Sequence, residues 1–359
     1  MNNRIVSLDL LKITAMFLIV LQHTLDFVGF LSISNFNTKY FPIYFFEAFS
    51  IVAVNIFVLI TGFFLIKQNF KWQKIFNLLF EIAAFSWIIL LISKLFGIQN
   101  LSPNTTFNFI FPTYYGLYWF ISSYVILYFL FPFINKFIYA LNSKQLKTFA
   151  IFTFTICCLW KYNFDCKSVF WLITVYFWGA CIRLFIYEKK QNFLFLTDKT
   201  LHNIIFYILC FITTALSFIL FNIKGKQFIS IIAFNYLFVF LSSLFLFLAV
   251  YKIKFTENLF SKIIVFAAPA SLGVYLIHMH PLLSYHISNF LQQVHLPYKW
   301  LSLNILFFSL LIFIICFIIS LILHKLLTFL SNKILCPNIE KAYNIIKKYL
   351  VKNENSIIS

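Results

Sequence analysis

Residues 5–28 read IVSLDLLKITAMFLIVLQHTLDFV. A helix of about 20 predominantly apolar residues crosses the hydrocarbon core of a bilayer, and this stretch has that length. It also carries Asp9, Lys12 and His23, with Asp26 at its far end. Ionisable groups at the centre of a span cost roughly 2.5–3.5 kcal/mol each, so they are rarely idle. The stretch exceeds the apolar core of a cleavable signal, roughly 7–15 residues, and no A-x-A site follows it, so it reads as a retained span. At about 100° per residue, the step from Lys12 to His23 ends about 20° from eclipsed and about 16 Å along the axis. Asp9 lies three residues before Lys12 and Asp26 three after His23, so the four share one stripe. Such a stripe points to a wet groove. The plainer readings are a snorkelling ion pair of Asp9 with Lys12 and an interhelical hydrogen bond for His23.

The rest of the chain follows this first span. Of 359 residues, 62% are hydrophobic and 11% charged, and the mean hydropathy is +0.92. Soluble domains carry about 25% charged residues. Too few charges are present to coat a soluble globule, which excludes a cytosolic enzyme, a disordered chain and a secreted disulfide scaffold. The net charge of +18 comes from lysines scattered between apolar runs. They form no continuous patch for nucleic acid, so the expected partner is the lipid bilayer. Phe 52 against Gly 7 and Pro 8 fits an AT-rich coding sequence. The seven cysteines show no C-x-x-C pattern and several lie inside apolar runs, so they read as structural, with no metal site.

Ten segments qualify as spans, at about 5–28, 43–66, 75–98, 116–137, 146–162, 168–187, 202–222, 228–250, 260–285 and 301–324. Their order predicts one set of loops holding Arg4, Lys67, Lys71, Lys74, Lys136, Lys144, Lys147, Arg183, Lys189, Lys190, Lys199, Lys252, Lys254 and Lys262. The tail adds Lys325, Lys333, Lys341, Lys347, Lys348 and Lys352 to that side. The opposite side holds Lys39, Lys94, Lys161, Lys167, Lys224, Lys226 and Lys299. Positive charge collects in the cytoplasm. The expected fold is therefore an all-α, polytopic membrane helix bundle of about ten transmembrane helices with both termini cytoplasmic. One membrane domain would cover 1–330. Residues 331–359 would form a basic tail, either solvated or an amphipathic helix on anionic lipid.

Further motifs lie along the chain: Asn55-Ile-Phe-Val-Leu-Ile-Thr61-Gly62-Phe-Phe-Leu, then Lys71-Trp-Gln-Lys74, then Tyr118-Trp119-Phe120 with Tyr124, Tyr128, Pro132 and Asn135, and finally Ser271-Leu-Gly-Val-Tyr275-Leu-Ile-His278. Together with Arg4 through Lys12 and His23, they resemble the acyltransferase family 3 membrane proteins, in the order and on the spans that family uses. Lys12 stands where arginine is commoner, which replaces a bidentate fork by a point charge. Family members move acyl groups, usually acetyl, onto sugars of cell-surface glycans.

The resemblance implies a multi-pass enzyme of a bacterial plasma membrane with no permanently bound cofactor. Its donor would be acyl-CoA, acetyl-CoA above all, arriving from the cytoplasm. Its acceptor would be a surface or lipid-linked polysaccharide at the outer face. Lys71 and Lys74 would attract the donor's phosphates, and Lys12 would assist them or position the thioester arm. His23 would act as general base or carry the acyl group, with Asp26 or Glu47 orienting it. Trp119, Tyr275 and His278 would contact substrate, and Asp9 would be a structural polar group. Each residue also has a plainer reading. The lysine pair also reads as positive-inside charge, Trp119 and Tyr118 as an interfacial aromatic belt, and His278 and His280 as partners of carbonyls freed at the Pro281 kink. A glycan flippase or transporter is the rival class, but no matching pair of Gly- or Pro-broken helices supports it. A glycan polymerase is another, and it would want a larger external loop.

Overall fold

Backbone inside hydrocarbon has no water to bond and must close its hydrogen bonds on itself, and the predicted apolar runs accordingly form helices. The computed structural model describes residues 4–30, 40–97, 102–159, 165–223, 233–294 and 300–335, with Pro337. Its helices are α1 (Val6–Phe27), α2 (Phe41–Ser50), α3 (Ala53–Leu65), α4 (Trp72–Leu95), α5 (Pro103–Ile110), α6 (Trp119–Ala140) and α7 (Ser143–Leu159). There follow α8 (Val169–Cys181), α9 (Thr200–Ile223), α10 (Leu237–Val250), α11 (Leu259–Ala267), α12 (Ser271–His278), α13 (Pro281–Gln293) and α14 (Leu301–Leu330). No β-strand occurs among the described residues.

Each of the ten expected spans has a helical counterpart. Among the described residues, eight stretches are long and apolar enough to cross a membrane: Val6–Phe27, Phe41–Leu65, Trp72–Leu95, Trp119–Ala140, Val169–Glu188, Thr200–Leu220, Leu259–His278 and Leu301–Lys333. Ser143–Leu159 and Leu237–Val250 are shorter. The amphipathic reading of 338–359 lies outside the described residues, as do Lys39, Lys161, Lys224, Lys226 and Lys299.

Two expected spans are broken. The segment 260–285 divides into α11, α12 and α13, because Pro269 and Pro281 each lack an N–H and cannot continue a helix. The segment 43–66 bends between α2 and α3 at Ile51 and Val52, with no proline or glycine there. At this bend Ser50 donates its hydroxyl to the Glu47 carbonyl, 3.1 Å away, the kind of side-chain intrusion that kinks helices.

Two buried amides tie the bundle together. Asn55 on α3 accepts from the Trp171 indole at 3.0 Å and donates to the Phe234 carbonyl at 2.8 Å. Asn135 on α6 accepts from the Tyr176 hydroxyl at 2.7 Å and donates to the Leu65 carbonyl at 2.9 Å. Both amides thus use a donor and an acceptor, which is what makes a polar group tolerable in a membrane interior. Two motif residues are thereby accounted for as structural.

Helices α3 and α8 lie in backbone contact. A Cβ added at Gly62 would sit 2.1 Å from the Tyr176 carbonyl oxygen, and one at Gly179 would sit 2.4 Å from that of Leu59. Small residues of this kind let membrane helices approach closely. Gly62→Ala or Gly179→Ala must push the two helices apart. The expected loss is about 1–3 kcal/mol, seen as a lower midpoint in thermal unfolding of the detergent-solubilised protein, and an unchanged midpoint for both variants would contradict this packing.

Candidate active site

A cavity of about 1030 Å³ runs beside α1. Its wall takes Lys12, Met16, Ile19, Gln22, His23 and Asp26 from α1, at steps of three or four positions apart from the adjacent Gln22 and His23, as a single helical face requires. Lys74 lines one end with Lys12, while Asp26, Trp119 and Lys167 line the other. Lys74, Asp26 and Lys167 are all exposed. The polar stripe of the first span is therefore a cavity wall, apart from Asp9. Asp9 pairs instead with Arg4 at 2.6 Å, and Arg4 also donates to the Val265 carbonyl at 2.8 Å. The anticipated Asp9–Lys12 pair does not form. Lys12 has no hydrogen-bond partner among the described residues and lies on the cavity.

His23 meets His278 across the bundle, with Nδ1 of His23 2.9 Å from Nε2 of His278. The other nitrogen of His278, Nδ1, lies 2.6 Å from the Val274 carbonyl of its own helix. A carbonyl only accepts, so His278 carries its proton on Nδ1 and its Nε2 accepts from His23. His23 therefore carries its proton on Nδ1 as well, which leaves its Nε2 lone pair free. That nitrogen has no partner among the described residues, and His23 lines the cavity. A neutral imidazole fixed through one nitrogen and bare at the other is equipped to take a proton from a bound hydroxyl. Neither Asp26 nor Glu47 hydrogen-bonds His23; His278 does.

Glu47 is buried and accepts from Gln22 at 3.2 Å through Oε1, whereas its Oε2 has no partner in the described structure. Gln22 was not singled out from the sequence, although it adjoins His23. Trp119 stacks on Phe234 with ring centres 5.7 Å apart, and the Lys167 ammonium lies 5.7 Å from the centre of the Trp119 ring. Lys167 also went unrecognised, since in the sequence it reads only as a loop lysine; its backbone is held by Ser123 and Asp165. Tyr275 lines the cavity and packs against His23, ring centres 6.3 Å apart.

The lysine pair separates. Lys74 lines the cavity and donates to Gln68 at 2.5 Å. Lys71 is exposed and lends only its carbonyl, which accepts from the Tyr128 hydroxyl at 3.2 Å. His280 caps α13 by accepting from the Leu282 amide at 3.3 Å and so is structural. Glu81 pairs with His324 at 2.7 Å, not with a lysine. Cys166 lines the cavity too, but burial, with Asp165 beside it, pushes its thiol up to about 11. It is a thiol at neutral pH and a poor nucleophile. Among the described residues no group of three or more His, Cys, Asp or Glu is placed to hold a metal ion.

The acyltransferase domain profile of acyltransferase family 3 matches residues 5–325. Comparison with curated proteins and with solved structures gave no match.

The tautomers are open to direct measurement. In ¹⁵N spectra of the solubilised protein at neutral pH, His23 and His278 are both expected with the proton on Nδ1 and an unprotonated Nε2. His278→Phe removes the acceptor and should release His23 into a mixture of tautomers. A His23 resonance that the substitution leaves unmoved would contradict the pairing.

Proposed function

Because the chain belongs to acyltransferase family 3 and is a multi-pass membrane acyltransferase, we propose that it transfers an acyl group, acetyl in the first instance, from acyl-CoA to a hydroxyl of a cell-surface or lipid-linked polysaccharide in a bacterial plasma membrane. The observation that carries the reading is the bare nitrogen of His23, part-way along a cavity that reaches from Lys12 and Lys74 to Asp26 and Lys167. The two ends suit two different substrates. Lys12 and Lys74 offer cations to the phosphates of a donor arriving from the cytoplasm, and the interval of about 16 Å to His23 suits an extended thioester arm. The other end offers a flat indole for a sugar ring and two carboxyl groups, Asp26 and Glu47, to hydrogen-bond its hydroxyls.

On this reading His23 is the general base. It takes the proton of the acceptor hydroxyl on Nε2 as the oxygen attacks the thioester carbonyl, and the imidazolium returns that proton to the departing sulfur. His278 positions the ring. Fixing both substrates on either side of His23 supplies the proximity that an encounter in solution lacks.

The decisive comparison uses surface glycan from a deletion strain, the same strain complemented with wild type, and one complemented with His23→Ala at matched protein level. Acetyl content is expected to vanish on deletion, return with wild type and stay absent with His23→Ala. Retention of acetyl in the deletion strain, with altered chain length or export of the glycan, would favour a polymerase or flippase. In membrane vesicles, Lys74→Glu should raise KM for acetyl-CoA about tenfold with little change in kcat, the signature of a contact made equally before and during reaction; a drop in kcat alone would remove Lys74 from donor binding.

A further inference from the structure

A general base and two bound substrates leave one requirement of acyl transfer unmet. When the hydroxyl oxygen adds to the thioester carbonyl, that carbonyl's π electrons move onto its oxygen, and the oxyanion needs a donor already in place. Four tyrosines line the cavity: Tyr44, Tyr124, Tyr128 and Tyr275. The Tyr128 hydroxyl is given to the Lys71 carbonyl, Tyr124 engages Thr61, and Tyr44 also has a partner. The amide of Gln22 is committed to Glu47. Just behind the wall, the Tyr118 hydroxyl is given to the Leu276 carbonyl at 2.9 Å. Tyr275 differs: its hydroxyl has no protein partner among the described residues, and it is not among the buried side-chain atoms sealed off without one. The residue is only 5% exposed, yet it borders the cavity.

Its ring is held from several sides. Ring centres lie 5.7 Å away for Tyr118, 6.3 Å for His23 and 6.0 Å for His278. A donor so fixed needs no reorganisation at the moment of reaction, which is where such groups gain their effect. A phenol is a neutral O–H donor at pH 7.

We propose that Tyr275 is a catalytic residue whose hydroxyl donates a hydrogen bond to the oxyanion formed beside His23; the inference rests on the acyl-CoA reading above. The acceptor oxygen bonds to the carbonyl carbon and gives its proton to Nε2 of His23. The carbonyl oxygen takes the negative charge and the hydrogen bond from Tyr275. Collapse re-forms the carbonyl and breaks the carbon–sulfur bond, and the thiolate takes the proton from His23 to leave as CoA thiol. The phenol keeps its own proton throughout.

The test uses membrane vesicles from the producing cells, which contain the natural acceptor, supplied with radiolabelled acetyl-CoA. Label entering glycan is followed for wild type, Tyr275→Phe and His23→Ala, with thermal unfolding of each purified chain as the check on folding. Tyr275→Phe keeps the ring and its packing. It is expected to lower kcat about 10²–10³-fold, with KM for acetyl-CoA and the unfolding midpoint unchanged. A kcat within a few-fold of wild type, or a loss expressed only in KM, overturns the assignment while leaving the acyl-CoA reading intact. Absence of transfer by wild type itself overturns that reading, and the role of Tyr275 with it.

Discussion

A polar group in a membrane interior must find a partner or remain expensive, and the bundle is organised around that demand. Asn55 and Asn135 meet it completely, each joining its own helix to two other points of the chain. Asp9 meets it through Arg4, which reaches on to the carbonyl of Val265 at the end of α11. His278 meets it twice over, with one nitrogen on Val274 and the other on His23. Where the demand is left partly unmet, at Nε2 of His23, Oε2 of Glu47 and the hydroxyl of Tyr275, the open group borders the cavity. Other buried polar atoms, among them Nε1 of Trp178, Oδ1 of Asn203 and Oγ of Ser242, also lack a partner but lie away from the cavity, so what singles this cavity out is the gathering of three open groups around it.

Two prolines set the length of α12 within the segment 260–285. Pro269 and Pro281 interrupt it, and the eight residues Ser271–His278 sit between as an independent block packed on α1 and α14. Gly273 has no side chain where a Cβ would meet Ser320 at 2.1 Å and Phe85 at 2.7 Å, so this block lies flush against its neighbours. His278 is thus placed by a rigid block and not by a loop.

Much of this was legible in the residues alone, for physical reasons. Apolar length reports spans directly, because lipid leaves few alternatives to a helix. Helical phase put Lys12, His23 and Asp26 on one wall, and Pro281 marked a kink, whereas the break at Pro269 inside the expected span 260–285 went unread. The bend between α2 and α3 was not legible, since it depends on Ser50 turning its hydroxyl back onto the backbone. Nor was the partner of His23, which lies 255 residues away and is chosen by how α12 packs. Phase along one helix also said nothing of Lys71 against Lys74; Lys71 precedes α4 and gives its carbonyl to Tyr128 of α6, while Lys74 borders the cavity. Lys167 had no mark in the sequence beyond its charge; the turn before α8 brings it to Trp119.

A cavity reaching from exposed lysine to exposed aspartate through a bilayer is also a route for ions, and the cell's proton gradient would drain through any continuous column of water there. Between Lys12 and His23 the wall of α1 is made by Met16 and Ile19, with Gln22 beside the histidine, and Leu272 and Phe57 border the same space. Apolar lining of this kind disfavours a continuous file of water, and so conduction, without a moving part. On the proposed function, the stretch that would guide a substrate arm would also serve as electrical insulation, and a polar residue at Met16 or Ile19 would raise the leak.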